Sequence, residues 1–412
     1  MHLSIDLQRL NRELEELGFI SEAAPPVVAR VVFSEADLRG RAFVKKLCRD
    51  AGLTVREDAV GNTFARWEGT EPHLPAVGTG SHIDAIPNAG RYDGTVGVLG
   101  GLEAIRALAR AGFRSRRSIE LLIFTSEEPT RFGIGCLGSR LLSGILDASA
   151  GQRLKDRDGA SLDEVRAKAG FTGALADIRL PQGYYAGFVE LHIEQGPLLE
   201  QGNNDLGVVT AIAAPATLKL SIEGEGGHAG AVLMAGRRDA FAAAAEIVLA
   251  VEFAARSSGA PDTVGTVGVC EVFPGAVNSI PSHVRLEIDV RDIDQQRRDA
   301  ALQKIAEAYR AVAARRGVQV CPEIVNADPP AQCSPAVVAS LVRGCERHGL
   351  TYQRMVSRAY HDSLFMARIV PTAMLFIPCR GGVSHRPDEY ASPEAIAKGT
   401  LVLAEALADL AA

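Results

Sequence analysis

The segment Gly78-Thr-Gly-Ser-His-Ile-Asp-Ala-Ile-Pro-Asn-Ala-Gly-Arg-Tyr-Asp-Gly94 holds an imidazole, His82, a carboxylate two residues on, Asp84, and a second carboxylate followed by glycine, Asp93-Gly94. Imidazole and carboxylate together suit a first-row divalent cation. The spacing sets Asp84 to orient or buttress the His82 ring from outside the ligand set. The apolar run Leu74-Pro-Ala-Val-Gly78 reads as a short buried strand. His82 then falls at a strand end, where open α/β sheets place their sites. Alone, a His near an Asp at such a position is more often a satisfied structural group than a ligand.

Further clusters weigh against that bland reading. Thr125-Ser-Glu127-Glu128 follows the apolar run Leu121-Leu-Ile-Phe124, and Glu190-Leu-His192-Ile-Glu194-Gln195-Gly196 overlaps another. Val383-Ser-His385-Arg386-Pro-Asp-Glu389 comes late, and Gly226-Gly-His228-Ala-Gly reads as the opening of a helix. An isolated acidic pair after a strand is usually a solvated helix start. The joint occurrence of these clusters is not what packing alone produces.

The elements that must position them alternate. Thr95 to Ala111 has helical apolar spacing, while Ser118–Thr125, Phe188–His192 and Thr372–Ile377 read as strands, a βαβ rhythm that implies a sheet with helices on both faces. Gly97-x-x-Gly100-Gly101 lacks the spacing of a nucleotide loop and reads as close helix–sheet packing. From Pro215 the pattern changes to β-α-β-β-α-β, the order of a ferredoxin-like unit. The expected fold is α/β: a larger discontinuous α/β/α domain, residues 1–212 and 330–412, with a smaller α+β domain inserted over 213–329.

The 412 residues exceed one ordinary core. A hydrophobic content of 47%, 23% charged residues and a net charge of -6 describe a globular chain and argue against nucleic acid as a partner. Seven Cys, with no CxxC pair, point to a reducing compartment and to metal ligands of N and O type. Cys136 and Cys379 read as buried small residues. The N-terminal pattern from Met1 to Leu17 reads as an amphipathic helix, not a signal peptide, and no segment reads as membrane-spanning, so the cytoplasm is expected.

Ser81-His-Ile-Asp84, Gly90-Arg-Tyr-Asp-Gly94, Glu127-Glu-Pro-Thr-Arg-Phe132, Gly135-Cys-Leu-Gly-Ser139, Glu190-Leu-His-Ile-Glu-Gln-Gly-Pro197, His228-Ala-Gly230, Asn278-Ser-Ile-Pro281 and Ser384-His385 together resemble the M20-type co-catalytic metallohydrolases, in their amidase branch acting on carbamoyl and ureido compounds. The strings Ala231-Val-Leu-Met234, Tyr360-His361-Asp362, Ala213-Ala-Pro-Ala-Thr217 and Asp328-Pro-Pro330 are similar to ureidoglycolate amidohydrolases rather than to carbamoyl-amino-acid hydrolases. Ala235 stands where that pattern has Pro.

The resemblance implies that His82 and His192 bind one divalent ion, Glu128 and His385 a second, and that Asp93 bridges them, with Mn²⁺ expected ahead of Zn²⁺, Co²⁺ or Ni²⁺. It implies Glu127 as the general base and Asp84 as the group behind the metal. His228 is the candidate for stabilising the oxyanion. Arg291 suits a bidentate grip on a small carboxylate, with Gln195, Asn278, Tyr360 and His361 completing the substrate contacts. The implied reaction is hydrolysis of the ureido C–N bond of (S)-ureidoglycolate, towards glyoxylate, ammonia and carbon dioxide, in a homodimer formed through the inserted domain. An N-carbamoyl-L-amino-acid or allantoate hydrolase is the neighbouring alternative. A catalytically silent metal-binding scaffold is the alternative of another class.

Overall fold

The computed structural model describes residues 2–412. The chain separates into two compact units, one made of the residues up to Ala211 together with Gln332–Ala412, the other of Ile212–Ala331.

The larger unit is organised by four parallel strands in the order Thr372–Ile377, Tyr185–Ile193, Ala76–His82, Ile119–Phe124. Ile119–Phe124 and Thr372–Ile377 are buried at every position, as strands covered on both faces must be. Alternate residues serve the two faces. Leu121 meets the helix Thr95–Arg110, and Leu122 and Phe124 join a cluster with Phe33, Leu137, Leu141 and Phe171. The C-terminal helix Pro393–Ala411 packs beside Thr95–Arg110 on the first face. The N-terminal helix is Leu7–Phe19, with the Asp6 side chain accepting from Arg9 N; Met1 lies outside the described residues. The strand read at Leu74–Gly78 runs instead from Ala76 through His82, so the imidazole is the last residue of the strand itself.

Two glycines let this packing reach the site. A Cβ on Gly97 would lie 2.3 Å from the Leu191 carbonyl oxygen, so the Gly97–Gly101 run sets helix against sheet. Gly94 adopts φ 66°, and a Cβ there would lie 2.5 Å from the His82 ring.

The inserted unit has strands Ala214–Glu223, Val264–Phe273, His283–Asp292 and Gln319–Ala327 with helices Ala240–Arg256 and Gln295–Arg316. The sheet is antiparallel, ordered Val264–Phe273, His283–Asp292, Ala214–Glu223, Gln319–Ala327. Strict alternation of burial along His283–Asp292 leaves one face for the helices, which cover Leu220, Leu286, Ile288 and Val290. One expectation is corrected here. Gly226–Gly230 does not open a helix; Gly227–His228 pairs with Ser279–Ile280 as a short antiparallel bridge. The helix starts at Ala240, where the Asp239 carboxylate accepts from Phe241 N and Ala242 N and supplies the cap that the glycine segment lacks.

Candidate metal centre and active site

The carboxyl ends of the parallel strands deliver the polar groups to one place. His82 ends its strand, His192 is the next-to-last residue of Tyr185–Ile193, and Glu127 and Glu128 follow Ile119–Phe124. The loop after Thr372–Ile377 carries Ser384, His385 and Glu389. The turns that release these side chains are strained: Ser126, Gln195 and His385 have φ of 57°, 56° and 58°. Non-glycine residues held at positive φ cost energy and collect at working sites.

Asp93 is the centre. Its Oδ1 lies 3.6 Å from His82 Nε2 and 3.2 Å from His192 Nε2. Its Oδ2 lies 3.2 Å from His385 Nε2, which is 3.7 Å from Glu128 Oε1. One carboxylate thus faces two sets of ligand atoms, His82/Asp93/His192 and Asp93/Glu128/His385, each gathered within 4.8 Å. A third set, Glu190/His192/His361, meets the same distance limit.

The imidazoles are oriented for coordination. His82 Nδ1 lies 3.0 Å from the Asp84 carbonyl oxygen, and His192 Nδ1 lies 2.9 Å from that of Ile193. A carbonyl only accepts, so each Nδ1 carries the hydrogen and each Nε2 points a lone pair at Asp93. Gly94 N donates to His192 Nε2 at 3.2 Å, consistent with that tautomer. Lone pairs and a carboxylate oxygen facing each other repel unless positive charge lies between them. The donor set, all N and O, therefore fits divalent cations.

A proton on Nε2 can supply that positive charge in place of a cation, and the surrounding charges favour it. Burial alone would lower the His82 and His192 pKa values, but Glu127 and Asp93 around His82, and Asp93 beside His192, push both above the ordinary range. The Asp93 hydrogen bond, against burial, lifts His385 to about 9. Burial would raise Asp93, yet the three imidazoles hold it well below the carboxylate range. Burial, reinforced by Asp93, lifts Glu128 to about 7, and burial lifts Glu127 well above its usual value.

Asp84 acts differently from the expectation. Its carboxylate does not hold the ring; Oδ1 is 3.8 Å from His82 Nδ1. The backbone carbonyl orients the imidazole, while the carboxylate accepts Glu127 N at 3.2 Å and Glu128 N at 3.1 Å. One residue therefore ties the His82 ring to the acidic loop. Glu127 Oε2 lies 3.7 Å from His82 Nε2, beside the His82/Asp93/His192 set rather than within it.

The expected substrate contacts divide between the units. Gln195 Nε2 donates to Asp93 Oδ2 at 2.9 Å, and its buried Oε1 has no hydrogen-bond partner. His361 is buried, edge-on to His192 with centroids 4.6 Å apart. Tyr360 accepts from Arg140 Nη2 at 3.0 Å. His228 and Asn278 lie together in the inserted unit, where Ala229 N donates to the Asn278 carbonyl at 2.9 Å. Arg291, also in the inserted unit, pairs with Asp289 through Nε at 2.8 Å and Nη2 at 3.2 Å. A substrate carboxylate held there would replace a bond the side chain already makes.

Three residues support these groups, and two of them, Glu389 and Glu190, went unread in the sequence. Glu389 Oε1 accepts Tyr92 N and Asp93 N, and Oε2 accepts Ser384 Oγ, which also donates to Asp93. Glu190 accepts Ser81 Oγ at 2.7 Å and Ser363 N at 3.1 Å. Asn62 Oδ1 accepts Thr125 N, fixing the strand end before Glu127. An acid four residues past His385 is the only sequence signal for Glu389.

Carboxylates and imidazoles gathered at the ends of a parallel sheet form a site of the kind that holds divalent cations in hydrolases. The chain belongs to peptidase family M20/M25/M40, whose model matches residues 78–409. It is 52% identical to the ureidoglycolate hydrolase of Arabidopsis thaliana, over 99% of this chain and 87% of that protein. The solved structure of AtUAH in complex with glyoxylate superposes with a TM-score of 0.89 at 52% identity, covering 99% of this chain and 98% of that one. An amidase of the hydantoinase/carbamoylase family from Burkholderia multivorans gives a TM-score of 0.91 at 34% identity, over 99% and 98%. Among the described residues, no helix is long and apolar enough to cross a membrane.

Proposed function

We infer that this chain hydrolyses the ureido C–N bond of (S)-ureidoglycolate. The observation that carries the reading is Asp93, whose two oxygens face separate imidazole and carboxylate sets with Glu127 beside them. Identity to a ureidoglycolate hydrolase over nearly the whole chain supports the substrate.

His82, His192 and Asp93 would hold one divalent cation, and Asp93, Glu128 and His385 the other, with Mn²⁺ proposed. When bound, such a pair lowers the pKa of a water and polarises the ureido carbonyl. Glu127, outside both ligand sets, takes the proton of the attacking water and delivers it to the leaving nitrogen. Water oxygen adds to the ureido carbon, and the bond to the substituted nitrogen breaks. The products are hydroxyglycine and carbamate; carbamate separates into carbon dioxide and ammonia, and hydroxyglycine loses ammonia to give glyoxylate. His228 donates to the developing oxyanion. Gln195, Asn278, Tyr360, His361 and Arg291 hold the polar ends of the substrate.

A homodimer through the inserted domain, residues 213–329, is part of the proposal. Phe241, Leu249 and Phe253 form one stripe on the helix Ala240–Arg256 and are 46%, 65% and 70% exposed, an apolar face that calls for a cover. Seven free thiols suit a reducing, cytoplasmic setting.

The test is ammonia release from (S)-ureidoglycolate, allantoate and a series of N-carbamoyl-L-amino acids by the Mn²⁺-loaded protein. Highest kcat/KM on ureidoglycolate is expected. No turnover of ureidoglycolate overturns the reading.

A further inference from the structure

Cys136 is a buried thiol with no part in the reaction described above. It follows the glycine-rich turn Gly133-Ile-Gly135 and precedes the helix Leu137–Ser143. Its backbone is left-handed, φ 55° and ψ 36°, a conformation in which glycine is comfortable and other residues are strained. Such strain persists only where the contacts of the residue over-determine it.

Its contacts give the reason. Cys136 N donates to the Glu127 carbonyl oxygen at 2.8 Å. Cys136 Sγ lies 3.4 Å from Glu127 Oε1, within the range for a thiol donor. The neighbouring bonds Leu137 N to Ser126 O and Gly138 N to Thr125 O extend the same grip along the acidic loop. A Cβ on Gly135 would come 2.8 Å from the Glu127 carbonyl, so the turn is pressed against this residue.

We propose that Cys136 is a positioning residue for the hydrolysis: its thiol hydrogen holds Oε1 of Glu127 while its peptide N–H holds the carbonyl of the same residue. Oε2, on the side of His82, is then the atom left to receive the proton of the attacking water. Burial, with Glu127 beside it, keeps the sulfur protonated and therefore a donor. A carboxylate held at one oxygen cannot swing between rotamers, which keeps the base within reach of the water. This assignment rests on Glu127 as the base, and on the hydrolase reading.

A thiol is a weak donor, so the effect is modest. Kinetics are measured on the metal-loaded protein with whichever substrate of the panel it turns over best. Cys136→Ala is expected to lower kcat by about three- to tenfold, with KM and metal content unchanged. Cys136→Ser, which restores a donor, is expected to recover kcat to within about twofold of wild type. Wild-type kcat in Cys136→Ala, or equal losses in Ala and Ser, overturns the proposal, because the second result means shape and not donation. A spectroscopic arm needs no turnover. The infrared difference between wild type and Cys136→Ser isolates the Cys136 S–H stretch. That band is expected at lower frequency than the same band in a Glu127→Ala background, and coincidence of the two overturns the hydrogen bond itself. Failure on ureidoglycolate with the S–H shift intact strikes the substrate reading and leaves the hydrogen bond standing.

Discussion

Replacing Asp84 by Ala separates two jobs that one residue performs. The backbone carbonyl of position 84 holds His82 Nδ1 and survives any substitution. The carboxylate accepts the peptide N–H groups of Glu127 and Glu128, at 3.2 and 3.1 Å, where Asp84 is 1% exposed. Each buried donor left without a partner costs about 1–3 kcal/mol. Two would cost about 2–6 kcal/mol. Part is offset, because burial itself disfavours the Asp84 carboxylate, whose pKa is raised for that reason first. A net cost of about 1–4 kcal/mol then falls on the loop that presents Glu128 and Glu127. Losses of about 10–100-fold in metal affinity are usual when a group behind a ligand is removed. The set His82/Asp93/His192 keeps its orientation, so only the set containing Glu128 should weaken. Stepwise titration of the metal-free variant with Mn²⁺, followed by calorimetry, reads this directly. One binding step is expected at wild-type affinity and one weakened within that range, with turnover lost. Equal weakening of both steps would refute the division of labour, since it would mean that the carboxylate orients His82 after all.

Glu127→Gln should reduce kcat by about 10²- to 10⁴-fold while metal content, measured by mass spectrometry, stays at the wild-type level; unchanged turnover would place the base elsewhere. Protons compete with the cation at Glu128, held to about 7, and at His385, held to about 9. Raising pH through those values frees both ligands, so Mn²⁺ affinity should tighten from about pH 6 to about pH 9, with proton release seen as a buffer-dependent heat; a flat profile contradicts the assignment. Phe253→Glu puts a charge into the exposed apolar stripe and should turn a dimer into a monomer in sedimentation velocity, with little change in thermal stability.

The strands that position the site were legible because both faces are covered. Leu121-Leu-Ile-Phe124 and Thr372–Ile377 are short, largely apolar runs, and their length favours a buried strand over a helix. Glu127 and Glu128 were legible because they follow such a run, and Glu190–Gly196 because it overlaps one. What escaped depends on contacts between distant segments. Glu389 meets Asp93 across 296 residues of chain, and Glu190 meets Ser363 across 173. No local pattern marks either pair. Asp84 was read as a side chain acting on His82, whereas the bond to the ring comes from its backbone, which carries no sequence signal. The segment at His228 was read as a helix start. The helix waits for Asp239, eleven residues later, because only there does a side chain satisfy the first free N–H groups. Cys136 was read by type as a buried small residue, and burial is what it has. Its sulfur against Glu127 follows from the fold of the Gly133–Gly138 turn.

Anomalous diffraction from Mn²⁺-loaded crystals tests the two-cation centre most directly. Two peaks sharing Asp93 are expected, one also bounded by His82 and His192, the other by Glu128 and His385. A single peak, or a second one at Glu190, His192 and His361 in place of the Glu128 and His385 set, would contradict it.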